Sequence, residues 1–101
     1  MKAINNLIGK RVIVRAHGAG VFYGTLNEVE GNTVELTNCR RLWYWDGAAS
    51  LSQLAAEGVK APQNCKFTVT VDSIVILNVI EIIPATDEAQ TSIENVRVWK
   101  K

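Results

Sequence analysis

The chain has 101 residues, 48% of them hydrophobic, with 11 Lys and Arg against 10 Asp and Glu for a formal net charge of +1. That length supports a single domain, residues 1–101, with a modest core and no room for a second, and the apolar share excludes disorder. The near-zero charge excludes a field strong enough to hold duplex DNA or a membrane surface, so an anionic partner must be met by a local patch.

The first residues carry no long apolar run, and no signal peptide is expected. Residues 10–16, KRVIVRA, alternate polar and β-branched side chains and predict a strand. The glycines of HGAG, residues 17–20, supply a tight reversal, and VFYGTLNEVE, residues 21–30, returns as a second strand. Gly31 and Asn32 make the next turn, and TVELTNCRRLWYW, residues 33–45, is a third strand. Ser50 stands three residues before Gln53, a capping-box spacing that opens a helix over SLSQLAAEG, residues 50–58. After a loop, CKFTVTV at 65–71 alternates again, and a turn at Asp72 and Ser73 leads into IVILNVIEII, residues 74–83. That run reads as one well-covered central strand; it is too short to cross a membrane and carries Asn78 and Glu81. Pro84 ends it, and Asp87 with Gln90 caps a second short helix, before VRVWKK closes the chain. The expected fold is mainly β (α+β): a small antiparallel five-strand sheet or open barrel with two short helices.

Strand parity assigns faces. Val12, Val14, Phe22, Leu26, Val34, Leu36, Leu42 and Tyr44 share the expected core face, unless a bulge intervenes. Arg11, Ile13 and Arg15, with Tyr23 and Thr25, point the other way, as do Arg41, Trp43 and Trp45. The segment RRLWYWDGA, residues 40–48, concentrates two of the three tryptophans with Arg40, Arg41, Tyr44 and Asp46. Flat rings beside guanidinium groups can stack a base and contact anionic oxygens. The candidate ligand-binding set is therefore Arg15, His17, Gly18, Gly20, Tyr23, Arg40, Arg41, Trp43, Trp45 and Asp46, with the glycines letting backbone N–H groups approach a phosphate. Plainer roles stand beside these. The tryptophans can fill a core or a subunit interface, the arginines can line a solvated edge, and His17 and Asp46 can simply be turn residues.

Catalysis finds little footing. One histidine without a traceable orienting partner, and carboxylates scattered over a hairpin and a helix start, give no acid–base or nucleophile constellation. Cys39 and Cys65 stand apart without metal-ligand spacing and read as reduced thiols near the core. No enzyme activity, metal or cofactor is expected, and the location expected is cytoplasmic.

RVIVRAHGAGVFYGTL, VELTNCRRLWYWDGAASLSQLAAEGV and VIEIIP, with an acidic helix start after them, resemble a family of small tailed-bacteriophage proteins whose name carries no activity. The resemblance spans about residues 10–95, and RRLWYW-x-GA-x-SLSQLA is its most specific part. His17 before GAG is a position where identity across that family is not assumed. By analogy, the setting implies a phage anti-defence sponge: a compact homo-oligomer that sequesters a cyclic ADP-ribose isomer or a cyclic oligonucleotide in an infected host cell, without turnover. The alternatives are a small single-strand nucleic-acid-binding module, which the near-neutral charge disfavours, and a host-protein-binding inhibitor with no ligand. IVILNVIEII and Trp99 are candidate oligomer contacts, and both equally suit a core.

Overall fold

A computed structural model describes residues 2–101. Its elements in chain order are α1 (Lys2–Asn5), β1 (Arg11–Ala16), β2 (Gly20–Glu30), β3 (Thr33–Tyr44), α2 (Leu51–Glu57), β4 (Lys66–Phe67), β5 (Val71–Ile76), β6 (Val79–Pro84) and α3 (Asp87–Glu94), with a 3-10 turn at Pro62–Asn64. The fold is mainly β, one open antiparallel sheet, as the alternation predicts; among the described residues it has six strands where five are expected, and a third short helix, α1, beside the two expected. No helix among the described residues is long and apolar enough to cross a membrane.

The first three strands form the expected meander, β1 against β2 and β2 against β3. The run 74–83 is not one strand. Its first part belongs to β5, which pairs with β3; the rest is β6, which pairs with β1 at the opposite margin of the sheet. The corner between them is Leu77 and Asn78, with Asn78 at φ 58°, a left-handed conformation that asparagine tolerates better than the branched residues around it. Two backbone bonds hold the corner: His17 N–H donates to the Asn78 carbonyl, and Val79 N–H donates to that of Asn32, both at 2.9 Å. The sheet is thereby rolled, and β5 and β6 are its margins. The expected burial fails there, since Val75, Leu77 and Ile80 are all more than half exposed.

The CKFTVTV strand also contracts, to the two residues of β4, which pair with the last turn of β3. The cap of α3 lies one residue earlier than the sequence suggests. Thr86 Oγ1 accepts from Ala89 N–H, while Gln90 reaches back to the Ala85 carbonyl. The cap of α2 is as read: Ser50 Oγ accepts from Gln53 N–H, and the Gln53 side chain accepts from Ala49 N–H.

Both faces of the sheet are buried. Val12, Val14, Phe22, Leu26, Val34, Leu36 and Ile76 fill the inside of the roll, with Ile4 and Leu7 from the N-terminal turn packed against them. Ile13, Tyr23 and Leu42 point outward, but α2 and α3 cover them with Leu54, Ala55, Ala89 and Ile93. A strand buried on both sides loses the polar alternation that would have marked an exposed face.

A bulge at Asn38 (φ 46°) decides what the end of β3 does. Thr25 pairs with Thr37, yet Tyr23 pairs with Arg40, so β3 gains an extra residue and its parity inverts. Val34 and Leu36 face into the roll with Cys39, whereas Leu42 faces the helices. The close approach explains Gly24: a Cβ there would lie 2.6 Å from the Cys39 Cβ. Tyr44, expected in the core, is 49% exposed.

Candidate functional site

Beyond the bulge, Arg40 and Arg41 point to opposite faces. Arg40 faces the helix side and is 5% exposed. Its guanidinium donates to four backbone carbonyls, those of Phe67, Thr68, Ile93 and Val96, at 2.9–3.1 Å. The Ile93 and Val96 oxygens lie at the C-terminal end of α3, where a cation is favourable. Burial holds the Arg40 pKa below its ordinary value. Four of the five guanidinium donors of this buried arginine serve the fold, so it is withdrawn from the candidate site.

Tyr23 is withdrawn for a similar reason. It is fully buried, donates from its hydroxyl to Glu94, and accepts from Arg11 Nε at 3.2 Å. Burial, followed by the Glu94 hydrogen bond, pushes its pKa up to about 12. The Arg11 guanidinium packs 4.4 Å from the Tyr23 ring centroid and also pairs with Glu94. The cluster ties β1 and β2 to the end of α3.

Arg15 is exposed, but it pairs across the ladder with Glu81 at 2.8 Å and lies outside the cleft described next. Asp46 accepts from the Asn64 side chain at 2.9 Å, and its backbone meets Cys65 Sγ, so it fastens the 3-10 turn.

The remaining candidates converge. The β2–β3 ladder ends at Phe22 and Arg41; beyond that pair β3 leaves β2 and runs beside β4. The groove opened by this divergence has a volume of about 440 Å³, and Gly18, Gly20, Val21, Arg41, Trp43 and Trp45 are among its walls. His17 lines an adjoining cleft of about 330 Å³, which shares Gly18, Ala19 and Arg41 with the first. Gly18 and Gly20 have φ of 80° and 107°, so the turn they build needs glycine conformations and leaves its backbone bare. Trp45 is half-buried against the helix-side core and offers only one edge.

Arg41 is held without being neutralised. One Nη donates to the Ala19 carbonyl at 2.8 Å, and its Cζ lies 4.6 Å from the Phe22 ring centroid. Among the described residues no carboxylate pairs with it. A guanidinium fixed at one corner and stacked on a ring keeps donors for an anion at little further entropic cost.

Trp43 is 58% exposed and stacks on Trp99, with centroids 5.3 Å apart and planes 15° from parallel. Lys66 Nζ lies 5.1 Å and 5.7 Å from the two rings. Sequence reasoning missed this partnership. Its one legible trace is the alternation in CKF, which sets Lys66 on the face opposite Phe67, where Trp43 also emerges once the bulge is counted.

No curated protein matches the chain. A family model described as a domain of unknown function, DUF6948, matches residues 9–93, and the chain belongs to that family.

Proposed function

We propose that this protein binds a small nucleotide-derived signal in the Arg41 groove and sequesters it without turnover. In the setting that the phage resemblance implies, the ligand is an immune signal of the cyclic ADP-ribose type inside an infected cell. The observation that carries the reading is Arg41 itself: positioned by Ala19 and Phe22, free of a carboxylate, and on the same groove as exposed Trp43 and a bare glycine turn. Arg41 takes the phosphates, Trp43 offers an indole face to the base, and the N–H groups of the turn come within reach of an oxyanion. Trp45 closes one wall, and His17 extends the rim toward the adjoining cleft.

The groove is open on one side, so a second copy laid against it belongs to the same proposal. The free margin at β5, with Val75 and Leu77 exposed beside the adjoining cleft, is where such a copy would sit. Light scattering at micromolar concentration reads this part, and a monomer removes it.

The test of binding is direct. The protein is incubated with cyclic ADP-ribose isomers and with cyclic dinucleotides, separated from free ligand, and heated. Release of intact ligand supports sequestration, release of a converted product means an enzyme, and no retention of any of them rejects the groove.

A further inference from the structure

We propose a second, separate site: an open basic cleft beside the Trp43–Trp99 stack that binds single-stranded nucleic acid. The cleft has a volume of about 530 Å³ and runs between the 3-10 turn and the C-terminal segment. Lys66, Arg97 and Lys100 line it together with Trp99, and among the described residues no acidic one does. Among the described residues none of these three cations forms an ion pair. The nearby Asp46 carboxylate is engaged by Asn64.

A chain with a net charge of +1 has no general excess of cations to scatter, so three cations around one cleft, against the single nearby carboxylate of Asp46, form a local positive field. The aromatic pair selects the ligand. Trp43 and Trp99 remain 58% and 42% exposed after stacking on each other, which leaves indole surface for a third flat ring. An acidic peptide would use the cations and leave the rings idle. Duplex DNA or RNA would keep its bases stacked inside. An unpaired strand uses both features: a base continues the indole stack while the phosphates pass the cations. No residue lining this cleft lines the nucleotide groove, which depends on Arg41; the two meet at the Trp43–Trp99 stack.

The test is titration of the full chain with an oligothymidylate of about ten nucleotides, read by quenching of tryptophan fluorescence. Saturable binding is expected, with log affinity falling against log salt at a slope of about −2, from three phosphates at roughly 0.7 each. Trp99→Ala weakens it about tenfold or more through lost stacking. Lys66→Glu and Arg97→Glu each weaken it and flatten the salt dependence. Arg97 is exposed and makes no side-chain hydrogen bond among the described residues, so a folding defect does not obscure that variant. Arg41→Ala retains oligonucleotide binding. The proposal is overturned by absent or salt-independent binding, by polyglutamate or a duplex competing equally well, or by loss on Arg41→Ala with Arg97→Glu unaffected.

Discussion

Arg40 and Arg41 are chemically identical neighbours in different physical worlds. Arg40 is enclosed by four carbonyls between β4 and the end of α3, and Arg41 lies exposed over Phe22 at the mouth of a groove. One side of β3 therefore uses a guanidinium to close the fold and the other leaves one exposed beside a groove. Buried polar groups must be satisfied inside the protein, whereas an exposed cation is free for recognition. The comparison can be broken at either arginine.

The largest effect is expected at Arg40. Arg40→Ala leaves four carbonyls without their donor and should cost about 3–5 kcal/mol, since charge-assisted hydrogen bonds are lost and buried acceptors are left unsatisfied. In a domain of this size the melting temperature falls by more than about 10 °C, measurable by calorimetry. A shift of only a few degrees would mean that water replaces the guanidinium.

Next comes the inverted parity. Leu42→Ala should cost about 2–5 kcal/mol because Leu42 is buried against the helices, and Tyr44→Ala less than about 1 kcal/mol because its ring is half exposed. Urea denaturation of the two variants measures the difference. Equal losses would mean that β3 stays regular past Leu42 and that the Tyr44 ring is covered like the Leu42 side chain.

A smaller effect is expected at Tyr23. Its pKa is raised, so the folded state favours the neutral phenol. The associated stability is complete below pH 10 and is lost as pH rises toward about 12. Cys39, pushed up to about 11 by burial, weakens the fold over an overlapping range, so the difference between the parent and Tyr23→Phe isolates the phenol. At neutral pH, Tyr23→Phe costs about 1–2 kcal/mol through the lost hydrogen bond to Glu94. In a Tyr44→Phe background, the remaining phenol should ionise near pH 12 by absorbance.

These contrasts mark how far the sequence could be read. The meander was legible because alternation and glycine turns are local signals. The division of residues 74–83 was not: a continuous apolar run carries no parity, and Asn78 was the single hint of a corner. The roles of Arg40 and Tyr23 depended on partners far along the chain, 56 residues away at Val96 and 71 at Glu94. Strand spacing does not encode such distances, and the covering of the outer face by α2 and α3 is equally non-local. Arg41 and Trp43 could be grouped because the Asn38 bulge precedes both and leaves their relative parity intact, whereas Trp45, beyond a second irregularity between Leu42 and Tyr44, reaches the same groove from the helix side.

A small stability effect and the most direct functional test meet at Arg41. Arg41→Ala removes an exposed cation together with its hydrogen bond to Ala19 and its stacking on Phe22, and its unfolding free energy should fall by about 1 kcal/mol. Isothermal calorimetry of parent and variant with a cyclic ADP-ribose isomer that the parent retains is the deciding measurement. Stoichiometric binding by the parent and none by Arg41→Ala, with both proteins folded at the temperature of the titration, is the expected result; equal binding by both would contradict the assignment of the groove.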